Sequence, residues 1–168
     1  MKQTPASITL LAALLGNAIH IAAATAAAPG QTRDLVTGRV AAEYPSLLGI
    51  YTNLHAHPEL SFMEVKTAAL VAGELRKLGF TVTEQVGKTG VVGVLTNGPG
   101  PTVLVRGDMD GLPVQETSGV NYASTDFVKD QSGKDQPAMH ACAHDTHVTS
   151  LIGTARLLMA MKDQWSGT

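Results

Sequence analysis

Three stretches of the chain repeat apolar residues at helical spacing, and three shorter ones do so at strand spacing. From Leu35 to about His55 the positions Val36, Val40, Leu47, Leu48, Tyr51 and Leu54 recur every third or fourth residue, with Pro45 perturbing the pattern. Pro29 to Asp34 read as a polar leader, and Asp34 or Thr37 would cap the helix start. His55-Ala56-His57-Pro58-Glu59-Leu60-Ser61 breaks the period. Ser61-Phe62-Met63-Glu64 then has the form of a capping box, a hydroxyl followed three residues later by a carboxylate. The helix it would open carries Val65, Ala68, Ala69, Ala72, Leu75 and Leu78 on one face and stops at Gly79. A third helix runs from His144 or Asp145 to about Met161, with Val148, Leu151, Ile152, Ala155, Leu158 and Met159 as its apolar stripe.

Between these helices the period shortens to that of strands. Phe80 to Val86 alternates with β-branched residues, and Val91 to Leu95 is a second short apolar run. Asn97-Gly98-Pro99-Gly100-Pro101 is a turn. Thr102-Val103-Leu104-Val105-Arg106 is continuously apolar, as expected of a strand buried on both faces of a sheet. Residues 121–137 are polar without a period and predict a loop. Intermixed helices and strands make the class α/β. Trp165-Ser166-Gly167-Thr168 leaves the last helix by a turn, where a crossover helix would deliver the chain to another strand, so the sequence stops inside a supersecondary unit.

A length of 168 residues allows one ordinary domain, and 44% hydrophobic with 15% charged residues is a globular composition. The net charge of −2 leaves no basic surplus to neutralise phosphates, which argues against a nucleic-acid partner. Residues 1–28 read as a signal peptide: Lys2 gives a positive start, Ile8 to Ile21 an apolar stretch, and Ala22 to Ala28 a small-residue run with Ala-x-Ala cleavage sites. Its apolar core falls short of the roughly 20 residues that span a bilayer, so a cleaved signal and an exported, periplasmic or secreted chain with no membrane contact are expected. Export would leave the single cysteine, Cys142, as a free thiol in an oxidising compartment, a hazard that metal coordination removes.

Two clusters carry chemistry. Asp108-Met109-Asp110-Gly111-Leu112-Pro113 follows the apolar strand, where α/β sheets place ligands, although Asp and Gly also follow strands for turn reasons alone. Met139-His140-Ala141-Cys142-Ala143-His144-Asp145-Thr146-His147 packs one thiol, three imidazoles and a carboxylate together, which are ligands preferred by zinc and similar ions. Cys142 and His144 would converge on one ion, His147 lies a helical turn further on, and Asp145 would complement the helix dipole or orient a ligand imidazole. A Cys142 nucleophile with His140 or His144 as base is a weaker reading, because nothing specifies an orienting group or an oxyanion hole. His55 and His57 could be ligands, but only Glu59 lies at ligand spacing from them, and pinning the turn between two helices is the preferred reading. The Gly98 to Pro101 run lacks the Lys and helix of a phosphate cradle.

With Leu54-His55-Ala56-His57-Pro58-Glu59-Leu60-Ser61-Phe62 and Arg106-Gly107 added to these clusters, residues 36–168 resemble the metal-dependent amidohydrolases of the aminoacylase and zinc-carboxypeptidase superfamily, in the branch of hippurate hydrolase, N-acyl-amino-acid deacylases and auxin-conjugate hydrolases. The resemblance implies the first part of a three-layer αβα catalytic domain with an incomplete sheet, residues 29–168 being its N-terminal portion. It implies two divalent ions (zinc or manganese, with cobalt or nickel as options), Cys142 and His144 as ligands, Asp110 as a catalytic-site aspartate orienting a ligand, and Asp108 behind the ligands. Where similar enzymes have Gly this chain has Ala143, whose methyl would crowd the loop if positive φ is required. Similar enzymes continue into a strand ending in paired glutamates, further histidine ligands and a lid domain through which relatives dimerise. The expectation is therefore a truncated, poorly active piece of an enzyme that hydrolyses the amide of N-acyl amino acids or small peptides. A non-catalytic, exported metal- or ligand-binding protein is the alternative.

Overall fold

The computed structural model describes residues 29–168, so the signal-peptide reading of residues 1–28 lies outside the described residues. Helix α1 spans Pro29–Ala56 without a break. The expected polar leader is thus helical, and Pro45 sits inside the helix instead of interrupting it. Pro45 and its neighbours are exposed, so water can satisfy the carbonyl whose helical donor the proline removes.

Helix α2 spans Val65–Lys77, and its start corrects the capping-box expectation. The Glu59 carboxylate accepts the backbone N–H groups of Lys66 at 3.0 Å and Thr67 at 2.8 Å. Glu64 instead accepts the Thr89 hydroxyl at 2.6 Å. The C-terminus is as expected: Gly79 takes φ 81°, its N–H reaches Arg76 O, and the Phe80 N–H reaches back to Leu75 O, closing a Schellman motif. Thr67, Ala68, Val71, Ala72 and Leu75 are buried, whereas Val65, expected on that face, is exposed at the helix start.

Strands β1 (Thr81–Val86) and β2 (Gly90–Val94) form an antiparallel hairpin that packs on α2. Gly93 is the point of closest approach, because a Cβ there would stand 2.9 Å from Leu75 Cδ1 and 3.2 Å from Phe80 Cδ1. The run 102–106 corrects the buried-strand expectation. It is no strand, and Val103, Leu104 and Val105 are exposed. A strand exists only as part of a ladder, and the described residues offer a single neighbour: the Thr168 N–H reaches Pro101 O at 2.9 Å and the Val103 N–H reaches Thr168 O at 2.8 Å, the two bonds of one parallel pairing.

The expected loop 121–137 contains a second antiparallel hairpin, β3 (Phe127–Lys129) and β4 (Asp135–Pro137). Asp130 builds its turn by accepting the N–H groups of Ser132 and Lys134. Helix α3 spans His144–Ala160 and packs on α1 and α2. Leu54, Val71, Leu75, Val148, Ile152 and Ala155 make the core between the helices, with Phe80, Val82 and Met109 packed against it. The result is a mixed α/β arrangement of three helices and two separate hairpins among the described residues.

Candidate metal centre

The segment after the exposed run is anchored on both sides. The Gly111 N–H donates to Glu59 O at 2.6 Å, and Leu112 exchanges two backbone bonds with Met139. Gly111 is packed so closely that a Cβ would stand 2.9 Å from Pro58 Cβ. This pins Asp108 and Asp110 beside the start of α3, and Gly107 lies directly against His147. The start itself is formed by Ala143 in the left-handed region (φ 59°, ψ 32°), whose carbonyl accepts the N–H groups of Thr146 and His147. The backbone here does require positive φ, the condition under which the Ala143 methyl would crowd the loop.

His144 is held through Nδ1, which lies 2.9 Å from both the backbone carbonyl and the Oδ1 of Asp110. Both partners are acceptors, so Nδ1 carries a proton, and in the neutral ring the lone pair lies on Nε2. Nε2 stands 3.9 Å from Asp108 Oδ2, and the His147 ring stacks on His144 with centroids 5.2 Å apart. One ligand atom from each of Asp108, His144 and His147 lies within 4.8 Å of the other two, the only such grouping of three among the described residues. The donor set, two imidazoles and a carboxylate with one imidazole fixed by a carboxylate behind it, suits zinc or manganese. The other oxygen of Asp108 pairs with the exposed Arg106 at 2.6 Å, a tie that solvent weakens and that leaves Oδ2 facing His144.

The structure treats the remaining expected residues differently. Cys142 is exposed on the same turn and stands outside the three-residue grouping. Asp145 does not orient His144. Its carboxylate is buried and faces His55, with Oδ2 2.6 Å from Nδ1. The other nitrogen of His55 lies 3.0 Å from the Glu116 carboxylate, which also accepts the Ser118 hydroxyl and the Ser124 N–H. Burial opposes the charge on His55, but hydrogen bonds to Asp145 and Glu116 outweigh it and raise the imidazole pKa above its ordinary value. Glu116 is held below the ordinary carboxylate value despite its burial, by Ser118 and His55. Tyr51 and Tyr122 flank the ring, and the Tyr51 hydroxyl is pushed up to about 12 by burial and by Asp145.

His140 is buried, neither ring nitrogen has a hydrogen-bond partner among the described residues, and burial lowers its pKa. Glu116 was not legible beforehand: it sits in a polar, aperiodic stretch, and its role depends on a partner 61 positions away.

Residues 104–168 match the family described as "Peptidase family M20/M25/M40". Thermostable carboxypeptidase 2 of Saccharolobus solfataricus is 49% identical over 123 residues, covering 72% of this chain and 29% of that protein. The N-acyl-L-amino acid amidohydrolase of Geobacillus stearothermophilus is 40% identical over 116 residues, covering 68% of this chain and 29% of that protein. Among solved structures, a dinuclear metal binding peptidase of the M20 family from Bacillus subtilis superposes with a TM-score of 0.62 at 35% identity, over 72% of this chain and 32% of that one. This chain therefore spans under a third of the length of these relatives. Over the part of their length that it spans, the chain matches the M20 family of metallopeptidases and amidohydrolases in sequence and in fold.

Proposed function

We propose that residues 29–168 are the N-terminal portion of a three-layer αβα catalytic domain that hydrolyses the amide bond of N-acyl amino acids or small peptides with two divalent ions. The observation that carries this reading is the orientation of His144: Asp110 holds the proton on Nδ1 and thereby presents Nε2 toward Asp108 and His147. His144 and Cys142 are the proposed ligands, the thiol binding as thiolate, and Asp108 and His147 stand close enough to complete or stabilise the sphere. Bound ions would supply a water of lowered pKa and positive charge for the developing oxyanion. The chain's own residues bind and orient. Asp110 fixes a ligand ring, and Ala143 sets the turn on which Cys142 and His144 flank it.

The substrate class rests on relatives named as a carboxypeptidase and an N-acyl-L-amino acid amidohydrolase. The chain spans under a third of the length of these relatives, so the 168-residue chain by itself is proposed to bind metal and turn over poorly. Export after removal of residues 1–28 belongs to the same proposal, supported by their charge and apolar pattern.

The test is metal content by mass spectrometry after loading with manganese or zinc, beside release of the amino acid from N-acetyl and N-benzoyl substrates. Metal that is retained by the folded chain and lost in His144→Ala is expected. A folded chain that retains no metal overturns the reading.

A further inference from the structure

The His55 side chain ties the end of α1, the segment after Leu112 and the start of α3 to each other. Its ring lies between two carboxylates that are both buried, Asp145 1% and Glu116 7% exposed. Nδ1 is 2.6 Å from Asp145 Oδ2 and Nε2 is 3.0 Å from Glu116 Oε1. Neither carboxylate can turn away, because each spends its other oxygen on the backbone: Asp145 Oδ1 accepts the Thr146 N–H at 2.8 Å, and Glu116 Oε2 accepts the Ser124 N–H at 2.6 Å. The ring cannot rotate either, with Tyr51 and Tyr122 against it at centroid distances of 5.6 and 5.2 Å. A buried carboxylate left without its donor costs more than the bond itself is worth, so the pairing is rigid.

The Asp145 arm reaches the metal centre. Asp145 directly follows His144 and precedes His147 by two positions, in the first turn of α3. The turn begins on Ala143, whose backbone is strained, so nothing in its own local preference holds it in place. We propose that His55, acting through Asp145, is a positioning residue that fixes the first turn of α3 so that His144 and His147 face Asp108. This rests on the metal reading proposed above only for its consequence, since the positioning is a property of the metal-free chain.

Two substitutions separate the arms. The amide nitrogen of Asn falls near the place of Nδ1, so His55→Asn keeps a donor to Asp145 and gives up Glu116. The amide nitrogen of Gln falls near Nε2, so His55→Gln keeps Glu116 and gives up Asp145. Both are made in the 168-residue chain and followed by thermal unfolding, by titration with cobalt(II) read from its visible absorption, and by long-range proton–nitrogen NMR of the histidine rings without metal.

His55→Asn is expected to bind cobalt within about threefold of the unchanged chain and His55→Gln to lose about 10–100-fold. The His144 ring is expected to keep its Nδ1-protonated pattern in His55→Asn and to average between tautomers in His55→Gln. Equal losses in the two variants, unfolding of both, or an unmoved His144 pattern in His55→Gln overturns the inference. A chain that takes up no cobalt while His144 still responds to His55→Gln alone leaves the positioning standing and removes the metal reading.

Discussion

Asp110 and His144 lie 34 positions apart, yet the carboxylate and the backbone carbonyl of Asp110 both stand 2.9 Å from Nδ1 of His144. A ring held by two acceptors on one nitrogen has one tautomer, and the other nitrogen is left as a ligand of fixed direction. The carboxylate also brings negative charge to that side of the ring, which a carbonyl alone does less well. Asp110→Ala is expected to weaken zinc or manganese binding by about 10–100-fold with little change in unfolding temperature. Asp110→Asn should lose less, because an amide oxygen still accepts from Nδ1. Calorimetric titration of the three chains checks this, and an Asn variant as weak as the Ala variant would show that charge, not orientation, is what matters.

Ala143 occupies the left-handed region at φ 59° and ψ 32°, which costs a residue with a Cβ about 1–2 kcal/mol. Glycine relieves that strain but loses more entropy on folding, by roughly 0.5–1 kcal/mol. Ala143→Gly is therefore expected to stabilise the chain by about 0.5–1 kcal/mol, a rise of a few degrees in the unfolding midpoint. Ala143→Val, β-branched at the same angles, should lower it. An unchanged or lower midpoint for the glycine variant would mean that the turn relaxes elsewhere.

Glu59 caps α2 from outside the sequence box that pointed to Ser61. Its carboxylate takes two N–H groups of the first turn, and the charge sits at the positive end of the helix. Glu59→Ala is expected to cost about 1 kcal/mol in denaturant unfolding, whereas Ser61→Ala should stay within about 0.5 kcal/mol. The reverse order would restore the capping box.

That exchange of caps marks where the chain was legible and where it was not. Local chemistry was readable wherever it closes on itself: Gly79 and Phe80 end α2 as their types demand, and the stripe of Val148, Ile152 and Ala155 is the face α3 buries. The density of ligands at 140–147 and the aspartates at 108 and 110 could be picked out as chemistry, and their meeting in space is what the fold adds. Features set by distant partners were not readable. Val103, Leu104 and Val105 read as buried only if strands flank them, and the described residues provide one pairing at Thr168. His55 looked like a turn residue because Glu116 and Asp145, 61 and 90 positions away, give no local sign of converging on it. The Asp130 hairpin escaped for a different reason, being held by side-chain bonds to backbone instead of by apolar alternation.

Arg156 joins all three helices, and this predicts the acid behaviour of the fold. One guanidinium nitrogen donates to Glu43 at 2.8 Å and Ser46 at 3.0 Å on α1, and the other donates to Glu74 at 2.8 Å on α2. Glu74 also accepts from Lys77 at 2.6 Å, and these two cations hold its carboxyl below the ordinary 4.5 against the opposing effect of burial. A depressed folded-state pKa means that the unfolded chain takes up the proton first as pH falls. The stabilisation from Glu74 is therefore complete above about 4.5 and is lost as the pH drops through the folded-state value. Thermal midpoints measured from pH 7 to pH 3 should fall in the acid range for the unchanged chain. Glu74→Gln, which keeps an acceptor for Arg156 but cannot ionise, should begin lower at pH 7 and fall less steeply, so that the two curves draw together as the pH falls. Curves that stay parallel would show that the acid sensitivity arises elsewhere and that the Arg156 junction is held by packing, with the charge on Glu74 incidental.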